Sequence, residues 1–400
     1  MNQFYQGFNR ITINNILQIL FVLLGFVIPI STVGTNIIVA IFIFLWVLEG
    51  KFKLKIRIIK EKKWIKPLIL LILFYITSFL FVGPQQETVF IFQRLPLLLV
   101  LPIFISSELR QKSLRQGVIL FFIISFLSAV LSILDFDLII NIKKILYGEK
   151  YKFIATFLKY NYHNIMLAFA SILALQILVN HKTKKPVYLI ILIFICSLSI
   201  FLERGRAGQL IFLLFFVLQS IISFKKKPIY SFAILGFVLL LTLGATYQSQ
   251  HFHKRVELTK QIIETNGVNA QGYTDVRYTF FKRSYKMIKT KPIFGHGAGT
   301  WKTLFNKKNS FQNPEIKEHL HPHNNYIYIW FELGVFGLIT FLAIFYFQIK
   351  ELFKKSYPIY RITLPVILLF LMFIDSYLFV FHITILYIYF YTIYSSYSFK

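Results

Sequence analysis

One cysteine in 400 residues, Cys196, sits inside an apolar run, so the chain has neither a disulfide framework nor a thiolate metal site. Acidic residues are scarce as well: 16 Asp and Glu stand against 44 Lys and Arg. The polar stretch 248–322 holds no paired-carboxylate motif of the kind that fixes Mg²⁺ on a diphosphate. Charged residues of both signs reach only 15%, too few to clothe a soluble domain of this length. There is no internal repeat, no low-complexity linker, and no small-residue cleavage site after the first apolar stretch, so no cleavable signal peptide is expected.

What remains is apolar. Hydrophobic residues make up 56% and aromatics 18%, with a mean hydropathy of +0.64. That balance predicts an all-α polytopic membrane protein, 1–400 forming a single integral membrane domain. The net charge of +28 does not indicate a nucleic-acid partner, because many of the lysines lie in short loops between apolar runs, where they act as topology signals. About twelve stretches meet the hydropathy criterion for a transmembrane helix. They are 12–30, 33–49, 67–83, 89–106, 117–136, 161–180, 186–202, 207–224, 229–247, 324–349, 358–377 and 380–397. The fourth, with Arg94, Pro96 and Pro102, fits the pattern least well.

Basic residues mark alternate loops: Lys51 to Lys66, then Arg110, Lys112 and Arg115, then Lys182 to Lys185, Lys225 to Lys227, and Lys350 to Lys355. All fall on one side if twelve spans are counted, and the positive-inside bias makes that side and both termini cytoplasmic. The outer side then receives 137–160, the ERGR turn at 203–206, and a large loop, 248–322, between helices 9 and 10. Within that loop 276–289 has helical periodicity, with Tyr278, Phe281, Tyr285 and Ile288 on one face and Arg283 and Lys286 opposite. Pro292 ends the helix and GHGAG at 295–299 turns the chain. The helix reads as amphipathic, lying on the membrane boundary or capping the bundle.

Four groups of residues could carry chemistry. Arg204 and Arg206 occupy a short outer turn, where guanidinium forks either bind an anion or simply snorkel, with Glu203 as a pairing candidate. Arg277 leads a basic stretch that is either a phosphate site or an exposed cationic loop. His319, His321 and His323 have no acidic or thiol neighbour in sequence, so a general base at the mouth of span ten, His323 with Asn324 opening the helix, fits better than a metal site. Glu332 lies within a span beside Gly334 and Gly337 and reads as support for close helix packing. Asp375 and His382 near the last hairpin carry less information.

In order, NYHN at 161–164, RGRAGQL at 204–210, R-x-x-x-F-x-x-S-x-x-M-I-x-x-x-P-I-F-G-x-G at 277–297, HPHNNYI at 321–327 and E-x-G-x-x-G at 332–337 resemble the O-antigen ligase and polymerase superfamily that shares the Wzy_C domain. The resemblance covers roughly 160–340. Gly205 stands where the family usually has Ser, and spacing to Gly208 aligns Arg206, not Arg204, with the family arginine. The resemblance implies a glycosyltransferase without metal or other cofactor, moving a glycan from undecaprenyl diphosphate to an acceptor hydroxyl at the periplasmic face of the inner membrane. It implies that Arg206, Arg277 and Arg204 serve the diphosphate and His323 serves as base, with Asn164, Asn324 and Glu332 in support. An O-antigen ligase with lipid A-core as acceptor is preferred, on the short chain and the basic outer loop. A polymerase acting on a second lipid-linked repeat is the alternative. A protein O-oligosaccharyltransferase is disfavoured, since the chain ends at Lys400 directly after a span. A transporter of polysaccharide or a small anion is the rival from another class, but it calls for polar groups near the midplane, whereas the ionisable residues here cluster at the outer ends.

Overall fold

The computed structural model describes residues 13–85, 87–134, 156–180, 186–203, 205–224, 227–248, 276–307 and 319–397, with positions 145, 257, 260–261 and 264–265 besides. Arg204 and most of 137–160 and 248–275 lie outside the described residues. The described elements are α-helices: α1 Ile13–Val27, α2 Thr32–Leu48, α3 Phe52–Lys60, α4 Ile65–Val82, α5 Thr88–Arg94, α6 Val100–Ile105, α7 Gln111–Leu134 and α8 Tyr160–Asn180. They continue with α9 Pro186–Leu202, α10 Arg206–Ser223, α11 Pro228–Gln248, α12 Val276–Ile288, α13 Trp301–Lys307, α14 Asn325–Phe353, α15 Pro358–Ile374 and α16 Phe381–Ser396. Each of the twelve apolar stretches is helical over most of its length. Six helical segments among the described residues are long and apolar enough to cross a membrane, and four further apolar helices are shorter. Side chains such as Leu80, Phe81, Ile229 and Leu240 are left exposed on them, as suits a protein whose solvent is lipid.

Two features of the sequence break the regular pattern. Pro96 and Pro102 interrupt the segment 88–105, which runs as α5, a 3₁₀ stretch Leu95–Leu99 and α6. Between the second and third apolar stretches the lysine-rich connection is not a plain loop: FKLKIRIIK folds as α3, with apolar and basic residues on separate faces.

The chain forms two compact units, Met1–Glu49 with Leu109–Phe252, and Gly50–Glu108 with His253–Lys400. In the first, α8 packs between α9 and α10, α7 pairs with α1, and α11 lies on α10. In α8, Ile165 to Leu175 are buried on every side, so the helix is central to this unit. In the second unit α14 packs against α4, α15 and α12, and α16 packs against α6. One end of that unit is fastened by Glu351, whose carboxylate accepts from Lys62 Nζ at 2.5 Å and from Trp64 Nε1 at 3.1 Å. That pair joins the basic segment before α4 to the last turn of α14, two regions that the charge pattern assigns to the same side.

Candidate active site

The longest helix of the second unit is broken where the sequence reads E-L-G-V-F-G. Inside α14, Gly334 has φ 69° and ψ −169°, a conformation closed to residues with a Cβ. The break strips carbonyls of their usual partners four residues on, and the loop after α12 supplies replacements. His296 N–H donates to Phe331 O at 2.7 Å, Gly297 N–H to Glu332 O at 2.9 Å, and Val335 N–H to Pro292 O at 2.9 Å. Glu332 is fully buried, and its Oε1 accepts from Gly299 N–H at 2.9 Å. The Tyr328 and Tyr75 hydroxyls also approach this carboxylate. Thus P-I-F-G-H-G-A-G and E-x-G-x-x-G, far apart in sequence, are one interlocked structure. A Cβ at Gly295 would collide with the backbone of Glu332, which explains that glycine. The loop is held from the other side by Ser78 Oγ, which accepts from Ala298 N–H at 2.8 Å.

Beside this loop, Glu87 is the residue before α5, with no exposed surface and its carboxylate making no capping bond. Burial pushes its carboxyl up to about 7, against the opposite pull of its own backbone amide, the Lys302 amide and charge, and the Thr303 amide. A raised carboxyl pKa gives stability that is fully present below the unfolded value near 4.5 and is lost as pH rises through 7. Glu87→Gln is therefore expected to flatten this pH dependence and to stabilise the protein at pH 8 by up to about 3 kcal/mol. Melting temperatures in detergent from pH 4.5 to 8 measure it, and parallel curves for both proteins would contradict it.

The histidine run folds against the end of α15. Asn324 is the N-cap of α14, its Oδ1 accepting from Ile327 N–H at 3.0 Å while Nδ2 donates to Phe373 O at 3.0 Å. Tyr326 hydroxyl donates to Leu369 O at 2.7 Å. These bonds bring His323 to the end of α15, where Asp375 lies 2.8 Å from His323 Nδ1. His323 has φ 54°, an uncommon value for a residue with a side chain. Its ring stacks on Phe280 of α12 at 5.8 Å, and its Nε2 meets His319 Nδ1 at 3.0 Å. Because the Asp375 carboxylate accepts, His323 Nδ1 carries the hydrogen, which leaves the Nε2 lone pair to accept from His319. Burial would raise the Asp375 carboxyl, but the His323 hydrogen bond and the His323 and His321 charges outweigh it and hold it below the usual range. Burial, together with repulsion from His323, pushes His321 down to about 4.

His323 and Arg277 line one groove of about 780 Å³. One wall is α12 and the residue after it, which contribute Arg277, Lys282, Lys286 and Lys289 with Tyr278, Phe281 and Tyr285. The other is His323, Asn324, Phe373 and Ile374. The helix read from periodicity is present, but its aromatic stripe is not its buried face. Phe280, Ser284, Met287 and Ile288 are buried, with Trp301 Nε1 donating to Ser284 Oγ at 2.9 Å, whereas Phe281 and Tyr285 are exposed to the groove. The buried positions mix a phenylalanine with a serine that satisfies an indole, so an apolar count places the packed face one step too far round.

In the first unit, NYHN and RGRAG are also brought together. Asn164 is buried and its Nδ2 donates to Ile200 O at 3.1 Å and Gly205 O at 3.2 Å, tying the end of α9 to the turn before α10. Gly208 packs against the Asn164 backbone so closely that a Cβ there would overlap it. Arg206 is the first residue of α10 and is exposed. Glu203, the pairing candidate for the turn arginines, accepts from Ser132 Oγ at 3.0 Å.

Sequence reasoning passed over Asp375. It saw no acid near the histidines because Asp375 is 52 residues from His323 along the chain, yet it is in contact with it. The available signal was an aspartate at the apolar-to-polar boundary between two helices, where an ionisable group needs a partner.

Comparison with known proteins bears on this arrangement. Residues 191–342 match the model of the O-antigen ligase family, Wzy_C. An O-antigen ligase of Salmonella typhimurium is 27% identical over 219 residues, 52% of this chain and 52% of that protein. A protein of Rickettsia felis provisionally named a polysaccharide ligase is 39% identical over 69 residues, 16% of this chain and 17% of that one. The chain thus spans about half the length of the Salmonella protein and less of the second.

Proposed function

We infer that this member of the O-antigen ligase superfamily is a membrane glycosyltransferase that moves a glycan from undecaprenyl diphosphate to a sugar hydroxyl of lipid A-core. One observation carries the reading: a cationic wall led by Arg277 and an imidazole oriented by a carboxylate face the same groove. In this reading twelve spans place the groove at the periplasmic face of the inner membrane, with 248–322 as its loop and both termini cytoplasmic.

The chemistry follows from charge. The diphosphate gains charge as its bond to the anomeric carbon breaks, so cations that hold it act most strongly in the transition state. Arg277 offers a bidentate fork, and Lys282, Lys286 and Lys289 add point charges along the wall. The sequence resemblance assigns Arg206 and Arg204 to the diphosphate as well. The acceptor oxygen attacks the anomeric carbon from the opposite side, inverting it, and its proton passes to His323 Nε2 once His319 yields that position. Asp375 keeps the hydrogen on Nδ1 and balances the imidazolium that forms. The diphosphate departs with its electron pair, already neutralised by cations, and needs no general acid. Asn164, Asn324 and Glu332 hold the backbone on which these groups stand. No metal is required in this scheme.

Purified protein in detergent, given lipid-linked glycan and lipid A-core with EDTA present, tests the reading. Glycosylated core is expected from the wild type. Arg277→Ala should lose about tenfold to a hundredfold in kcat/KM for the donor, the worth of a hydrogen bond to a charged group. Longer lipid-linked glycan in place of glycosylated core would make the protein a polymerase, and absence of both products from folded protein would overturn glycan transfer.

A further inference from the structure

The transfer scheme uses two members of a cluster that has three. One ligand atom each from His321, His323 and Asp375 lies within 4.8 Å of the others. His323 Nδ1 stands 2.8 Å and His321 Nδ1 3.9 Å from the same Asp375 oxygen. Ligands about 2.1 Å from a tetrahedral ion stand about 3.4 Å apart, so modest side-chain rotation brings all three onto one ion. Each side chain keeps about a fifth of its surface exposed, 21%, 18% and 22% in that order, which leaves a route in and room for a water as fourth ligand. Two imidazoles and one carboxylate suit zinc-like ions and not Mg²⁺, which prefers an all-oxygen shell.

We propose that His321, His323 and Asp375 form an inhibitory site for a zinc-like divalent ion. The inhibition follows from proton positions. An ion on His323 Nδ1 shifts the single ring hydrogen, which now points at Asp375, to Nε2, and His319 takes the tautomer with its own hydrogen on Nε2, which frees its Nδ1 to accept. Nε2 then donates to His319 Nδ1, the outer hydrogen bond that metal-bound imidazoles ordinarily make. A protonated Nε2 has no lone pair for the acceptor's proton, and Asp375 is committed to the ion. One binding event removes both the base and its orienting group. The binding half of the proposal stands on the cluster alone, whereas the inhibitory half rests on His323 serving as base.

The test uses full-length protein in detergent, stripped with EDTA and then freed of it. Co²⁺, whose visible absorption reports tetrahedral imidazole coordination, is titrated into the wild type, His321→Gln and Asp375→Asn, and Zn²⁺ is then added to transfer reactions. The wild type is expected to bind one equivalent more than either variant. Zn²⁺ should suppress wild-type transfer reversibly, while His321→Gln keeps its metal-free activity and needs at least about tenfold more Zn²⁺ for the same suppression. Equal Co²⁺ binding by all three proteins overturns the site. A bound equivalent without suppression, or activation by Zn²⁺, overturns the inhibitory role. The cobalt titration does not depend on catalysis, so failure of glycan transfer and failure of this site give different results.

Discussion

His323→Ala is expected to lower glycan transfer by about a hundredfold to ten-thousandfold, the usual contribution of a positioned general base. Donor binding should change little, because the cationic wall on α12 is untouched, so the loss falls on kcat. Position 323 has φ 54°, where alanine is strained, and His323→Asn is the better variant because asparagine tolerates that backbone. The two substitutions should agree in activity while differing in stability. Asp375→Asn should lower kcat by a smaller factor, since the imidazole stays in place but loses the carboxylate that holds its hydrogen on Nδ1. Single-turnover transfer with saturating donor separates these effects. A His323→Asn protein with wild-type kcat would remove the imidazole from the mechanism.

The second large effect concerns folding. Gly334→Ala is expected to destabilise the second unit by at least about 3 kcal/mol, since it combines a glycine-only backbone conformation with overpacking. A methyl group at 334 would meet the Ile293 carbonyl and the amide that follows it, backbone atoms that cannot rotate away. They belong to the segment whose Pro292 carbonyl, His296 amide and Gly297 amide are bonded to the broken helix, so they cannot retreat without losing those bonds. A loss of this size is a large part of the stability of an ordinary domain. Gly236→Ala is the control: a Cβ there meets nothing within 4 Å, and alanine favours a helix. Yield of monodisperse protein after detergent extraction should fall sharply for the first variant and not for the second.

Much of this was legible in the sequence, for reasons that differ by feature. Hydropathy found the helices because lipid-facing and buried helix surfaces are both apolar, and a long apolar run leaves little choice of structure. The same insensitivity hid the α5 to α6 interruption in detail and the fold of α3, whose lysines read as a loop until their spacing is seen on a helix. The motifs at 161–164, 204–210, 277–297 and 332–337 could be lined up in order, but order gives no contacts. That Asn164 ties down Gly205, or that Gly297 donates to Glu332, depends on which carbonyls a turn or a helix break leaves unpaired. Asp375 was missed because proximity in a bundle is set by helix ends, not by sequence distance. His323 was legible for a local reason, standing directly before an asparagine that caps a helix.

The seam between the loop 292–299 and the interrupted helix 331–335 also sets what can be exchanged between relatives. Its two halves meet backbone to backbone, through amides, carbonyls and glycines, so neither can be judged by its own side chains. A chimera joined between 300 and 330 would take one half from each parent, and even a small difference in loop length would leave carbonyls facing no donor. A chimera that carries 292–335 as one block transplants donors with their acceptors. For recombination, the natural cassette is therefore this seam together with the histidines it encloses.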